Sequence, residues 1–130
     1  MTPELTVLAL AAFLQVGQIA LAGWSMNRDA GVAYNASPRD EPADFSALTG
    51  RLRRAVDNHF EAMALFIVAV VVVTASAAAS AFTAACAWIY LAARLAYVPA
   101  YAFGWSPWRS AIYCIGLLAT LGMIGAALAG

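Results

Sequence analysis

Between Glu61 and Arg94 the chain carries no charged side chain, and that gap constrains its fold more than any other feature. Drawn as one helix from Ala62 to Ala93, it would be roughly 48 Å long, against a bilayer hydrocarbon core of about 30 Å. The chain must therefore turn back inside this stretch. Small residues concentrate between Thr74 and Ala85, and Ser76 to Ser80 is the predicted turn although neither Gly nor Pro marks it. Two further runs, Leu5 to Met26 and the stretch after Arg109, are uncharged and each long enough for one crossing.

With 64% hydrophobic and 11% charged residues among 130, the composition lies outside that of soluble domains. The expected architecture is all-α: an integral membrane four-helix bundle in a single domain over 1–130, with helices over roughly 3–26, 48–75, 81–103 and 107–129. The formal charge is zero and lysine is absent, which argues against nucleic acid as a partner and against a polybasic lipid-binding tail. The first apolar run is read as a mature helix rather than a signal peptide, because Glu4 stands where a basic segment belongs and the run is too long.

Trp24 suits an interfacial anchor at the end of the first helix. Gln15 and Gln18 share a face with Ala11 and Ala22, either as hydrogen-bonding glue at a helix seam or as ligand contacts. The stretch from Asn27 to Ala47, with Ser37 to Pro42 at its centre, has the composition of a loop. Gly104-Trp105-Ser106-Pro107 is a stop and restart, in which Ser106 is expected to cap the last helix and Pro107 to occupy its first turn. Four spans put both termini on one side. Arg28, Arg39, Arg51, Arg53, Arg54 and Arg109 all flank the 27–47 and 104–109 loops, so the positive-inside rule places those loops in the cytoplasm and the termini opposite.

Two polar stripes carry the chemistry. Arg51, Arg54, Asn58 and Glu61 fall on one face of the second helix, and Tyr90, Arg94, Tyr97 and Tyr101 on one face of the third. A charge at bilayer depth costs about 2.5–3.5 kcal/mol even on the lenient scale, so it is normally paired or lines a wet cavity. Arg94 and Glu61 either pair with each other or with Asp57 to lock the bundle, or they face a ligand. His59 lies off the stripe with no second histidine or paired thiol at ligand spacing, so no metal site is expected. Cys86 and Cys114 sit in apolar runs and read as small buried hydrophobes. No glycine-rich phosphate loop or nucleophile–base pair is visible. Arginines for carboxylates or a thiolate, a glutamate for an ammonium, an amide and phenols together suit a small zwitterionic peptide. Arg109, in the first turn of the last helix, adds its charge to a helix N-terminus that already favours an anion.

The stretch RLRRAVDNHFEAMALF, Arg51 to Phe66, with YLAARLAYVPAY, Tyr90 to Tyr101, resembles the MAPEG family, membrane-associated proteins in eicosanoid and glutathione metabolism. The chain is similar to a bacterial-type microsomal glutathione transferase-like member. The resemblance implies a homotrimer in a bacterial inner membrane, with glutathione bound between protomers near the cytoplasmic face and a hydrophobic small-molecule substrate arriving from the bilayer. It places glutathione on Arg54, Asn58, Glu61, Tyr97 and Tyr101, with Arg51 and Arg94 beside them, and makes Arg109 the catalytic candidate that activates the thiol. The implied activity is a glutathione-dependent transferase or peroxidase; the alternative within the same fold is a noncatalytic lipid-binding or scaffold trimer. The sequence departs from the family pattern at Ala62, where several relatives carry a tyrosine, and at Trp108, which takes the spacing from Tyr101 that an arginine holds in some relatives. The longer 27–47 loop leaves either Arg28 or Arg39 as the further binding arginine.

Overall fold

A computed structural model describes residues 1–130. Its elements are α1 (Pro3–Ala30), the short α2 (Val32–Ala36), α3 (Ala47–Ala75), α4 (Ala81–Ala102) and α5 (Trp108–Ala129). The four long helices are each apolar enough and long enough to cross a membrane, and they form an all-α bundle of an integral membrane protein.

Local chemistry sets the helix ends. The Thr2 hydroxyl accepts from the Leu5 amide at the start of α1, with Pro3 in the first turn. At the other end α1 continues past Met26 to Ala30, where Gly31 takes φ +87° and its N–H bonds the Asn27 carbonyl. Ser46 caps α3 by accepting from the Thr49 amide. The chain reverses between α3 and α4 over 76–80: Ser76 and Ala78 return amides to the Val72 and Val73 carbonyls, and Ala77 supplies the left-handed residue at φ +54°. Ser80 and Thr83 then open α4 as a reciprocal capping box.

The turn from α4 to α5 differs from the expected capping. Ser106 makes no side-chain cap; Pro107 occupies the N-cap position itself and α5 begins at Trp108. Backbone bonds replace the missing cap, because the Arg109 amide donates to the Trp105 carbonyl and the Ser110 amide to Pro107. Gly104 takes φ +67°, and a Cβ there would meet the Arg51 guanidinium at 3.3 Å. The positive φ favours glycine, while the flexible Arg51 head would have to shift by only a few tenths of an ångström for a Cβ.

The apolar core joins all four long helices: Val7 and Ala11 from α1, Phe66, Ala69, Val70 and Val73 from α3, Cys86, Ala87, Tyr90 and Leu91 from α4, and Ala119 with Met123 from α5. Only 29 of 130 residues are buried, so the outer surface carries Phe13, Val68, Val71, Trp88, Leu118 and other large apolar side chains that lipid or another membrane helix must cover. Polar side chains turn inward instead. Ala11, Gln15, Gln18 and Ala22 are all buried on the inner face of α1, as their spacing predicts. Gln18 Nε2 donates to His59 Nδ1 at 2.5 Å, Thr83 donates to the buried Glu4 carboxylate, and Ser25, Thr49 and Asp29 form a hydroxyl–carboxylate chain near the loop. Such bonds hold helices together in lipid, where burial of apolar surface gives little drive.

Candidate functional site

A cavity of about 460 Å³ opens between α3, α4 and α5 at the end of the bundle nearest the α4–α5 turn. Helix α3 supplies Arg54, Asp57, Asn58 and Glu61, α4 supplies Tyr97 and Tyr101, and α5 supplies Arg109, Ser110, Tyr113 and Cys114. The helical period brings Arg54, Asn58 and Glu61 to one side of α3 and Tyr97 and Tyr101 to one side of α4. The packing of α5 against both closes the third wall.

Tyr101 ties the walls together. Its hydroxyl accepts from Arg54 Nε at 3.0 Å, and the Arg109 guanidinium carbon lies 4.7 Å from its ring centroid. Tyr97 stands edge-on to Tyr101, with centroids 5.6 Å apart, and Tyr113 is 6.4 Å from Tyr97 on the far side. The carboxylates of Glu61 and Asp57 are exposed to the same space without an ion-pair partner; the one ion pair of the chain is Arg28–Asp29, at the loop. The cavity thus presents unpaired charges of both signs around a phenol-lined floor.

The pairing of Arg94 with Glu61 or Asp57, one of the readings open in the sequence, does not occur. Arg94 donates from Nη1 to Asn58 Oδ1 at 3.0 Å and lies over the Tyr97 ring at 4.4 Å, below the cavity and 2% exposed. Arg51 does not line the cavity either. It donates to the Ala102 carbonyl and packs on Gly104, so its charge sits at the carboxyl end of α4, where the helix dipole favours a cation. Tyr90, on the same stripe as Tyr97, faces the core and stacks on Phe66 with centroids 3.9 Å apart. Arg109 enters the cavity whereas Trp108 is 67% exposed, so the α4–α5 turn aims the later residue inward.

Cys114 corrects the expectation of a buried thiol: it is exposed and lines the cavity, while Cys86 is buried. With Asp57, Ser110 and Tyr113 it completes the lining that sequence reasoning did not assemble. Tyr113 and Cys114 follow Arg109 by about one helical turn, so continuing the α5 face from Arg109 would have found them. Arg28 binds Asp29 and Ser46, and Arg39 donates to the Asn35 carbonyl. Arg39 and Arg53 instead line a separate cavity of about 370 Å³ on the other flank of α3, which shares Asp57 with the first.

No curated protein and no solved structure matches the chain. The model of the MAPEG family matches residues 4–129, nearly the whole chain, including every helix that lines the cavity. The chain belongs to the MAPEG family, membrane proteins of glutathione and eicosanoid metabolism.

Proposed function

We propose that the protein is a glutathione-dependent transferase or peroxidase that acts on hydrophobic electrophiles delivered through the bilayer, working as a homotrimer. The observation that carries this reading is the convergence of Arg54 and Arg109 on Tyr101 beside the unpaired Glu61 and Asp57. Glutathione bears two carboxylates, an ammonium and a thiol. Two free guanidinium groups, two free carboxylates and a helix N-terminus in one cavity match each of those groups with a partner of opposite character.

In this reading Arg54 and Tyr101 hold a carboxylate, and Glu61 or Asp57 holds the ammonium. Arg109 stabilises the thiolate from the first turn of α5, the positive end of the helix dipole. The phenols of Tyr97 and Tyr113 stand within the same space as donors. The 27–47 and 104–109 loops face the cytoplasm of a bacterial inner membrane and the termini the opposite side, which opens the cavity to the cytoplasmic pool of the peptide. Arg39 and Arg53, on the opposite flank of α3, complete the site of a neighbouring protomer.

The test is thermal stability of the detergent-solubilised protein across a series of glutathione and S-hexylglutathione concentrations. A ligand of the folded state stabilises it by about 2.7 kcal/mol at a hundredfold excess over Kd. A saturable shift, diminished in Glu61→Ala at preserved oligomeric size, supports the site. No shift on an intact trimer replaces this reading with a noncatalytic lipid-binding scaffold.

A further inference from the structure

Deeper between the same three helices lies a second, smaller cavity, and Tyr113 lines both. Its free space is about 10 Å³, room for one oxygen-sized group. Ala62, Leu65 and Gly116 form an apolar side, and Leu65 is 46% exposed on the outer face of the protomer. The other side is polar. Arg94 and Tyr90 line it at 2% and 1% exposure.

These two side chains have unused hydrogen-bonding capacity. Arg94 spends Nη1 on Asn58, while its Nε and Nη2 and the Tyr90 hydroxyl have no partner. A buried guanidinium without a carboxylate is costly, and here the bilayer removes the option of bulk water. Fixed donors around a gap the size of one oxygen are the arrangement that stabilises negative charge as it develops on that oxygen.

We propose that this gap is an oxyanion pocket for the second substrate, which makes apolar α,β-unsaturated aldehydes and ketones the preferred electrophiles. The inference rests on the glutathione reading above. The apolar chain of the substrate lies along Leu65 and Gly116, and its carbonyl oxygen accepts from Arg94 and Tyr90. Glutathione sulfur, its proton already lost, forms a bond to the β-carbon. The electrons of the carbon–carbon double bond move onto the carbonyl oxygen as an enolate, and a proton from water in the larger cavity returns to the α-carbon. The sum is an addition in which nothing leaves, and no external oxidant or reductant takes part. Tyr113, on the wall common to both cavities, stands where the two reactants meet.

The experiment compares kcat/KM for trans-2-nonenal and for 1-chloro-2,4-dinitrobenzene, whose intermediate spreads its charge over ring and nitro groups. In Tyr90→Phe the ring remains to stack on Phe66 and only the hydroxyl is lost. Nonenal turnover is expected to fall about 100- to 1,000-fold, with the aryl chloride and the glutathione-dependent thermal shift unchanged. Gly116→Ala is the second variant: its Cβ meets Ala93 Cβ at 3.5 Å and Tyr90 Cδ2 at 3.8 Å, ordinary contacts that keep the fold while narrowing the gap. It is expected to show the same selective loss. An equal loss for both substrates, no loss for nonenal, or a wild-type protein that conjugates the aryl chloride but not nonenal overturns the oxyanion pocket while the thermal shift keeps the glutathione site. Absence of the shift in the wild type overturns both.

Discussion

The Arg109 guanidinium lies 4.7 Å from the centroid of Tyr101, the same phenol whose hydroxyl accepts from Arg54. One aromatic side chain on α4 therefore positions cations from both α3 and α5, and its two interactions separate chemically: the ring serves Arg109 and the hydroxyl serves Arg54. Tyr101→Phe keeps the first and removes the second. Glutathione affinity is expected to fall about 10- to 150-fold, the worth of one hydrogen bond to a charged group being about 1.5–3 kcal/mol. Calorimetric titration of the purified variant measures it, and an unchanged Kd would detach Arg54 from the ligand.

Arg109→Ala should leave binding nearly intact and reduce kcat by about 10²–10³-fold, the loss typical of one electrostatic stabiliser of a reacting anion. The sign of the pH effect follows from the charge. Arg109 favours the thiolate over the thiol, so its loss raises the thiol pKa of the bound peptide and moves the rising limb of kcat to higher pH. A stopped-flow pH series checks this; an unmoved limb would show that Arg109 does not face the sulfur.

Cys114 is exposed in the cavity and Cys86 is buried. A maleimide should label a single cysteine, at position 114, and S-hexylglutathione should slow that labelling several-fold by covering the wall it shares with Ser110 and Tyr113. Mass spectrometry of the labelled protein reads both outcomes. Labelling indifferent to the ligand would place the peptide elsewhere.

Gln18 and His59 join α1 to α3 through one bond at 2.5 Å, with both residues buried. Either single replacement by leucine leaves a buried polar group unpaired, whereas the double replacement does not. A double-mutant cycle by thermal unfolding should return a coupling of about 0.6–1.7 kcal/mol, the range found for hydrogen bonds between membrane helices.

Ala77 holds φ +54° in the α3–α4 turn. Ala77→Gly removes the Cβ conflict of that conformation and should stabilise the protein by about 1 kcal/mol, visible as a rise in Tm. A fall in Tm would mean that the residue relaxes out of the left-handed region.

The chain by itself determined that this is an all-helical membrane protein of four spans, because that conclusion compares the lengths of uncharged runs with a fixed bilayer thickness. The faces shared by Arg54, Asn58 and Glu61, or by Tyr97 and Tyr101, were equally legible, since the helical period is a local property. Where each face points was not. Tyr90 and Tyr97 belong to one stripe, yet one stacks on Phe66 in the core and the other lines the larger cavity, because the gap between α4 and its neighbours α3 and α5 widens toward the α4–α5 turn. Arg51 and Arg54 likewise part company, the first to the end of α4 and the second to Tyr101. Arg109 rather than Trp108 reaches that phenol because the backbone of the 103–107 turn sets the rotation of α5, and no repeat in the sequence encodes it. Contacts between helices depend on how far each is rotated and where they cross, and only the assembled bundle decides both.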